Sequence, residues 1–115
     1  MTAGALGKAL GLTCLAGRFG LEKEVGGCMI CDLLSHALAR LEKGNVWITV
    51  HGHPNVVAVG VQTGAGCVIL CDGMPLDSGA AARADEFSLP VLSGEKTAFA
   101  MASEILSLEN WPQAD

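Results

Sequence analysis

Between residues 44 and 71 the sequence contains no Asp, Glu, Lys or Arg. A segment of this length without charge is expected to be buried, either in a membrane or in a protein core. Pro54 and Asn55 interrupt it, and its longest apolar run, residues 56–61, is far shorter than the roughly 20 residues that cross a bilayer. We therefore expect the buried centre of a water-soluble fold and no membrane span.

Two β-branched runs within this segment, residues 46–50 and 67–71, predict short core strands. The residues between them can be interpreted in two ways. The propensities of residues 56–61 favour a strand, whereas His53 followed by Pro54 is typical of a helix N-cap followed by Pro at the first helical position. A crossover between parallel strands needs a dozen or more residues, which residues 51–66 supply. We therefore predict a helix here.

The rest of the chain shows a similar alternation. The predicted strands cover residues 12–16, 21–31 (an irregular strand) and 89–92. The predicted helices are one capped by Thr2 and running through Leu10, one with Asp32 as N-cap and Gly44 as its stop, one from Asp77 or Ser78 to about Glu86, and one over residues 97–108. Alternating strands and helices around charge-free strands predict an α/β fold. We expect a three-layer architecture with a mainly parallel sheet, helices on both faces and one domain over residues 1–115.

Composition excludes some classes of partner and favours one compartment. The chain has 7 Lys and Arg against 12 Asp and Glu, so its net charge is −5 and no basic stripe is present to bind a nucleic-acid backbone. We find no credible export signal, and the 5 cysteines, an odd number, are typical of reduced thiols. The sequence therefore predicts a cytoplasmic protein without a nucleic-acid partner.

Three segments resemble a known family. Residues 24–28 (Glu-Val-Gly-Gly-Cys) followed by residues 32–35 resemble the motif of the DRTGG domain and the helix start after it, and of the five named motif residues only Gly27 is in place. Residues 53–59 resemble the second helix of that family, and residues 90–93 ahead of Thr97 and Phe99 fit its C-terminal part. The resemblance thus covers nearly the whole chain.

This resemblance implies a fold similar to the N-terminal domain of HPr kinase/phosphorylase, without its phosphate-binding loop. It also implies a regulatory context, because such domains accompany CBS domains in some pyrophosphatases, occur within phosphotransacetylases and stand alone in anaerobes, often beside iron hydrogenase genes. The biochemical activity of the family is generally unassigned. The resemblance therefore implies a fold and a kind of role, and no phosphotransfer.

Cys28 and Cys31 have the spacing of half a zinc site or of a redox pair. No second pair with that spacing is present, and Cys67 and Cys71 would lie about 13 Å apart along one strand at about 3.3 Å per residue. Because a free cysteine packs as a small hydrophobic residue, we interpret these thiols as structural. We predict no metal site and no cofactor.

The candidate binding site lies where strands end. In open α/β sheets, ligands bind beyond the carboxyl ends of the strands, where helix amides attract anions. His53 and His51 are also open to a structural interpretation, as a helix cap and the end of a strand. The residues predicted at this edge are His51, His53, Asn55, Asp72, Gly73 and Ser93.

These observations support three hypotheses of function. The first is a non-catalytic regulatory or accessory domain, a homodimer that senses a small anionic metabolite or nucleotide. The second is a protein-interaction adaptor without a ligand, working in a hydrogenase or redox context. The third is an enzyme that depends on the cysteine pair or the histidine loop. The homodimer is expected because half of the residues are apolar, which is more than a small domain easily buries.

Overall fold

The alternation of strands and helices expected from the sequence is present in the computed structural model, which describes residues 1–109 and 111–112. The helices are α1 (Ala3–Leu10), α2 (Leu34–Arg40), α3 (Pro54–Thr63), α4 (Ser78–Glu86) and α5 (Ala98–Leu106), and the strands are β1 (Thr13–Ala16), β2 (Cys28–Ile30), β3 (Val46–Thr49), β4 (Cys67–Leu70) and β5 (Val91–Ser93). A 3₁₀ turn over Arg18–Gly20 follows β1. The predicted α/β class is confirmed.

The strands form one sheet in the order β1-β5-β4-β3-β2. Strands β2 to β5 are parallel neighbours, whereas β1 pairs antiparallel with β5 at one edge. The parallel strands therefore follow one another across the sheet without a reversal of order. This matters for function, because the usual ligand crevice of an open α/β sheet forms where the strand order reverses.

Two hydrophobic clusters occupy the two faces of the sheet. Residues of α2, α3 and α4 pack with Trp47, Val68 and Leu70 on one face. Residues of α1 and α5 pack with Ile48 and Ile69 on the other. The molecule thus has three layers, and all residues of β3 and β4 are buried, as expected for strands covered on both faces.

The helix predicted after His53 is confirmed. Pro54 occupies the first turn of α3, and the His53 imidazole accepts a hydrogen bond from the N–H of Asn55. Gly64 ends the helix with a left-handed φ of 74°, a conformation that glycine adopts without strain. Thr2 and Thr97 cap α1 and α5 through their side chains, in agreement with the helix starts expected from the sequence.

Three other local predictions are wrong. Gly44 does not end α2, because the helix stops at Arg40 and its C-cap Leu41 already has an extended backbone. Asp32 does not cap α2, because its carboxylate binds β3 instead and the N-cap position is held by Leu33 without a side-chain hydrogen bond. The irregular strand expected over residues 21–31 contains only the three residues of β2, because the Gly26 and Gly27 amides bond to Gly44 and to Pro112.

Among the described residues, no helix is both long and apolar enough to cross a membrane.

Candidate functional site

The carboxyl ends of the four parallel strands meet along one side of the sheet. We call this side the strand-end edge and define it as Asp32, residues 51–55, residues 72–73, residues 77–80 and residues 93–95. The register places Thr49 opposite Leu70 and Leu70 opposite Ser93, so the chain leaves β3, β4 and β5 at the same level. All six predicted site residues therefore belong to one edge, as residues that follow parallel strands should.

The loop from β3 to α3 uses its own polar groups for structure. Pro54 has no N–H, the Asn55 N–H donates to Nδ1 of His53 at 3.0 Å, and the Val56 N–H donates to the His53 carbonyl at 2.9 Å. These amides, which could otherwise bind an anion, are occupied. The His51 and His53 residues are exposed to solvent.

The loop from β4 to α4 packs directly on the first loop. The Asp77 N–H donates to the Gly52 carbonyl at 2.9 Å, and a Cβ at Gly52 would lie 2.0 Å from the Pro75 carbonyl oxygen. Only glycine therefore fits at position 52 without a shift of the backbone. The two loops are therefore in direct contact at this edge.

Asp72 and Gly73 join the edge to the segment after β5. Their amides donate to the carbonyls of Lys96 and Gly94, each at 2.9 Å, and both residues have a left-handed φ, 58° for Asp72 and 64° for Gly73. A positive φ is uncommon for a residue with a side chain, although Asp tolerates it better than most. The Asp72 carboxylate is thus presented to solvent from a backbone fixed by its neighbours.

Sequence analysis missed two features of the edge. Asp32 accepts hydrogen bonds at Oδ1 from the Thr49 hydroxyl at 2.8 Å and from the Val50 N–H at 3.1 Å, so its carboxylate connects β2 to the end of β3. The N–H groups of residues 78–80, in the first turn of α4, have no hydrogen-bond partner within the described residues. An Asp directly after a strand was the available signal for the first feature, whereas the second depends on loop geometry.

The charges at the edge are predominantly acidic. Asp32, Asp72, Asp77 and Glu95 are all exposed there. Lys96, the nearby cation, forms an ion pair with Glu104 through Nζ and Oε2 at 2.8 Å. A phosphate at this edge is therefore repelled by the carboxylates unless it arrives with a cation.

The Cys28–Cys31 pair does not converge on one point. Cys28 pairs with Val46, whose side chain belongs to the α1 and α5 face, whereas Cys31 is buried in the opposite cluster with Trp47. The Trp47 indole N–H donates to the Cys31 carbonyl at 2.8 Å, which fixes this segment. Within residues 1–109 and 111–112, no three His, Cys, Asp or Glu side chains are grouped closely enough to hold a metal ion.

The buried thiols of Cys67, in β4, and Cys71, directly after it, are poor nucleophiles. Burial, together with the nearby Cys28, raises the pKa of Cys67 to about 12. Burial, with Asp72 adding to it, raises the pKa of Cys71 to about 11. The thiolate is the reactive form of cysteine, so both side chains are almost entirely unreactive at neutral pH.

Three surface depressions lie away from the strand-end edge, and none is lined by a predicted site residue. One of about 470 Å³ lies at the opposite end of the sheet, before β3 and β4. Another of about 600 Å³ lies between α1 and β1, and a third of about 380 Å³ lies beside β1 and the 3₁₀ turn. The strand-end edge itself is an exposed surface.

A comparison with protein families finds that the DRTGG domain matches residues 5–108. This chain belongs to the DRTGG domain family. The resemblance in the motif and helix segments is thereby confirmed over most of the chain. No curated protein matches the sequence at a significant level.

The fold of this DRTGG domain is also found in a solved structure. The CBS and DRTGG domains of the regulatory region of Clostridium perfringens pyrophosphatase, complexed with the activator diadenosine tetraphosphate, align with a TM-score of 0.72 at 10% identity. The alignment covers 85% of this chain and 43% of that one. At this identity the similarity shows a shared fold.

Proposed function

We propose that this DRTGG domain is a non-catalytic regulatory or accessory domain of the cytoplasm that binds a small phosphate-bearing anion at the strand-end edge. Family membership supports the regulatory role, since a domain of the same family and fold belongs to the regulatory region of a pyrophosphatase. That neighbour is complexed with a nucleotide activator, which supports a ligand of this class. The odd number of cysteines, which is typical of reduced thiols, is the reason for the compartment.

The observation that carries the ligand proposal is the free first turn of α4. The amides of residues 78–80 have no partner within the described residues, and a Cβ at Gly79 would lie 3.8 Å from Pro54, the residue that follows His53. Unpaired amides at a helix start attract anions, and an imidazole N–H can donate a hydrogen bond to a phosphate oxygen. The four carboxylates of the edge oppose a bare anion, so we expect the ligand to bind together with a divalent cation such as Mg²⁺.

The test is calorimetric titration of the full chain with ATP, with and without Mg²⁺. Replacing His51 by Ala and His53 by Asn removes both imidazoles, while Asn retains the ability to cap α3. We expect this double variant to bind Mg²⁺–ATP at least about tenfold more weakly, the effect of losing one or two charge-assisted hydrogen bonds. His36→Ala removes an exposed imidazole from α2 and serves as the control. Unchanged affinity in a folded double variant would contradict the proposed site.

The absence of binding by ATP, phosphate or any other anion would favour the second hypothesis, a protein-interaction adaptor in a hydrogenase or redox context. The third hypothesis, an enzyme, has less support. The side chains of Cys28 and Cys31 lie on opposite faces of the sheet, and burial raises the pKa of the Cys28 thiol to about 11. In the histidine loop, the hydrogen bond of His53 within the described residues is the one that caps α3.

We also propose that the domain is a homodimer. Large apolar side chains are exposed on several elements, among them Phe19, Ile30, Phe99 and Leu106. Apolar surface of this kind often marks an interface between copies. Light scattering at micromolar concentration is expected to give twice the mass of 11.8 kDa, and a strict monomer would contradict the proposal.

A further inference from the structure

The depression of about 470 Å³ lies at the end of the sheet opposite the strand-end edge. It is bounded by the residues that precede β3 and β4, by the last turn of α3 and by the residues that follow α4. Its volume is within the range of small-molecule sites, about 300–1,000 Å³. This cavity is separate from the proposed anion site, and nothing in the sequence motifs pointed to it.

The charged groups that line the cavity give it a net positive charge. Lys23 and Lys43 both line it, and Lys43 keeps its stem against Gly64. Glu24 is the acidic residue of the lining, and its carboxylate is neutralised by the N-terminal ammonium of Met1, 2.8 Å away. Two lysines without a matching free carboxylate favour an anionic group on the ligand.

The remaining wall is apolar and partly aromatic. Phe87, Leu89 and Val61 line the cavity, and Phe87 is 46% exposed. The Arg83 guanidinium lies 5.4 Å from the centroid of the Phe87 ring, which holds one side of the aromatic ring in place. A half-exposed, positioned aromatic ring beside aliphatic side chains fits a flat ring on the ligand.

The surrounding helices determine the orientation of a ligand that carries both an anionic group and a flat ring. Gly64 is the C-cap of α3 and Phe87 the C-cap of α4, so both helices direct their last carbonyl groups to this end. The partial negative charge of helix C-termini repels an anion and attracts hydrogen-bond donors. An anionic group therefore belongs at the rim beside the lysines, and a ring that carries N–H donors belongs inside.

We propose that this cavity binds a nucleotide, with the base against Phe87 and Leu89 and the phosphates beside Lys23 and Lys43. The two ends of such a ligand match the two halves of the lining. The flat base carries amino donors for the helix carbonyls, and the phosphates carry the charge that the lysines require. This site is in addition to the strand-end edge and needs no divalent cation, because its lining has no excess of carboxylates.

The test is a titration of the ¹⁵N-labelled full chain, followed by NMR, with ATP in the absence of Mg²⁺, with adenosine and with inorganic phosphate. ATP is expected to shift the amide signals of Gly44, Gly64 and Phe87, adenosine to shift the same signals at higher concentration, and phosphate alone to leave them unchanged. ATP shifts confined to residues 51–55 and 72–80 would overturn the cavity site and would show that the strand-end edge binds ATP without a divalent cation. Equal effects of phosphate and ATP would overturn recognition of the base.

Matched substitutions test the two halves of the site separately. Lys43→Ala and Phe87→Ala are each expected to weaken ATP binding about tenfold, the loss of one charge-assisted hydrogen bond or of one ring contact. Lys8→Ala on α1 and Leu38→Ala on α2 remove a lysine and an apolar side chain of similar exposure (44%) from outside the cavity and should leave the affinity unchanged. Weakening by the control variants to the same extent would show that charge or surface area, and not this cavity, determines binding. Unchanged affinity in both cavity variants would likewise overturn the proposal.

Discussion

Gly17→Ala is expected to lower the free energy of unfolding by about 3–5 kcal/mol, at the upper end of single substitutions. Gly17 has a left-handed φ of 74°, and a Cβ there would lie 1.9 Å from the carbonyl oxygen of Leu89 and 2.7 Å from the nitrogen of Pro90. Both contacts are with backbone atoms, which cannot rotate away as a side chain does. The Gly17 N–H also donates to the Asp85 carboxylate at 2.7 Å, so the turn cannot move without losing that hydrogen bond.

Gly11→Ala provides the control for this prediction. Gly11 has nearly the same left-handed φ, 68°, but a Cβ there meets no atom within 4 Å. Its substitution should cost only the intrinsic penalty of that conformation, about 1–2 kcal/mol. Urea unfolding followed by circular dichroism measures both variants. Equal losses of stability would show that the backbone of residues 89–90 yields and that the close approach is unimportant.

Where local chemistry decided the structure, the sequence was enough to predict it. The helix at Pro54 follows from a cap that is formed by the adjacent residue, so His53 and Pro54 outweighed the strand propensity of residues 56–61. The burial of β3 and β4 follows from the absence of charge in residues 44–71. These are short-range or compositional effects, and they need no knowledge of the tertiary fold.

Where a residue binds a distant partner, prediction failed. Asp32 has the residue type and position of an N-cap, but its carboxylate accepts a hydrogen bond from the Thr49 hydroxyl instead. Gly26 and Gly27 bond to Gly44 and Pro112, which removes most of the strand expected over residues 21–31. Each of these partners is distant in sequence, so only the folded chain shows the contact.

The two candidate sites also differ in how far the sequence alone could predict them. Parallel strands make it predictable that His51, Asp72 and Ser93 share an edge, because each lies at the carboxyl end of a strand or within two residues of it. Which amides stay free is not predictable, since it depends on the His53 cap and on the packing of Gly52 against Pro75. The cavity at the opposite end was not predicted at all, because its lining residues come from separate segments between residues 23 and 89.

The stability of the domain is expected to fall steeply as the pH rises above about 9. Burial raises the pKa of the Cys67 thiol from 9.0 to about 12, with Cys28 adding to the effect. The folded chain therefore keeps a proton on Cys67 that the unfolded chain loses, and between these pH values the unfolded state is favoured by about 1.4 kcal/mol per pH unit. The contribution is fully present below pH 9 and is lost as the pH approaches 12.

Urea unfolding at intervals from pH 7 to pH 11 measures this dependence, which for Cys67 amounts to about 2–3 kcal/mol at pH 11. Cys67→Ala and Cys67→Val both remove the thiol. In both variants the free energy of unfolding should fall by about 2–3 kcal/mol less between pH 7 and pH 11 than in the wild type, whatever their stability at pH 7. The Ala variant loses core volume, whereas the Val variant adds bulk at a fully buried position of β4, so an effect of packing alone would differ between them. Because other groups also titrate in this range, the difference between wild type and variants is the decisive quantity. If the free energy of unfolding falls as steeply with rising pH in both variants as in the wild type, the Cys67 thiol does not hold its proton in the folded state.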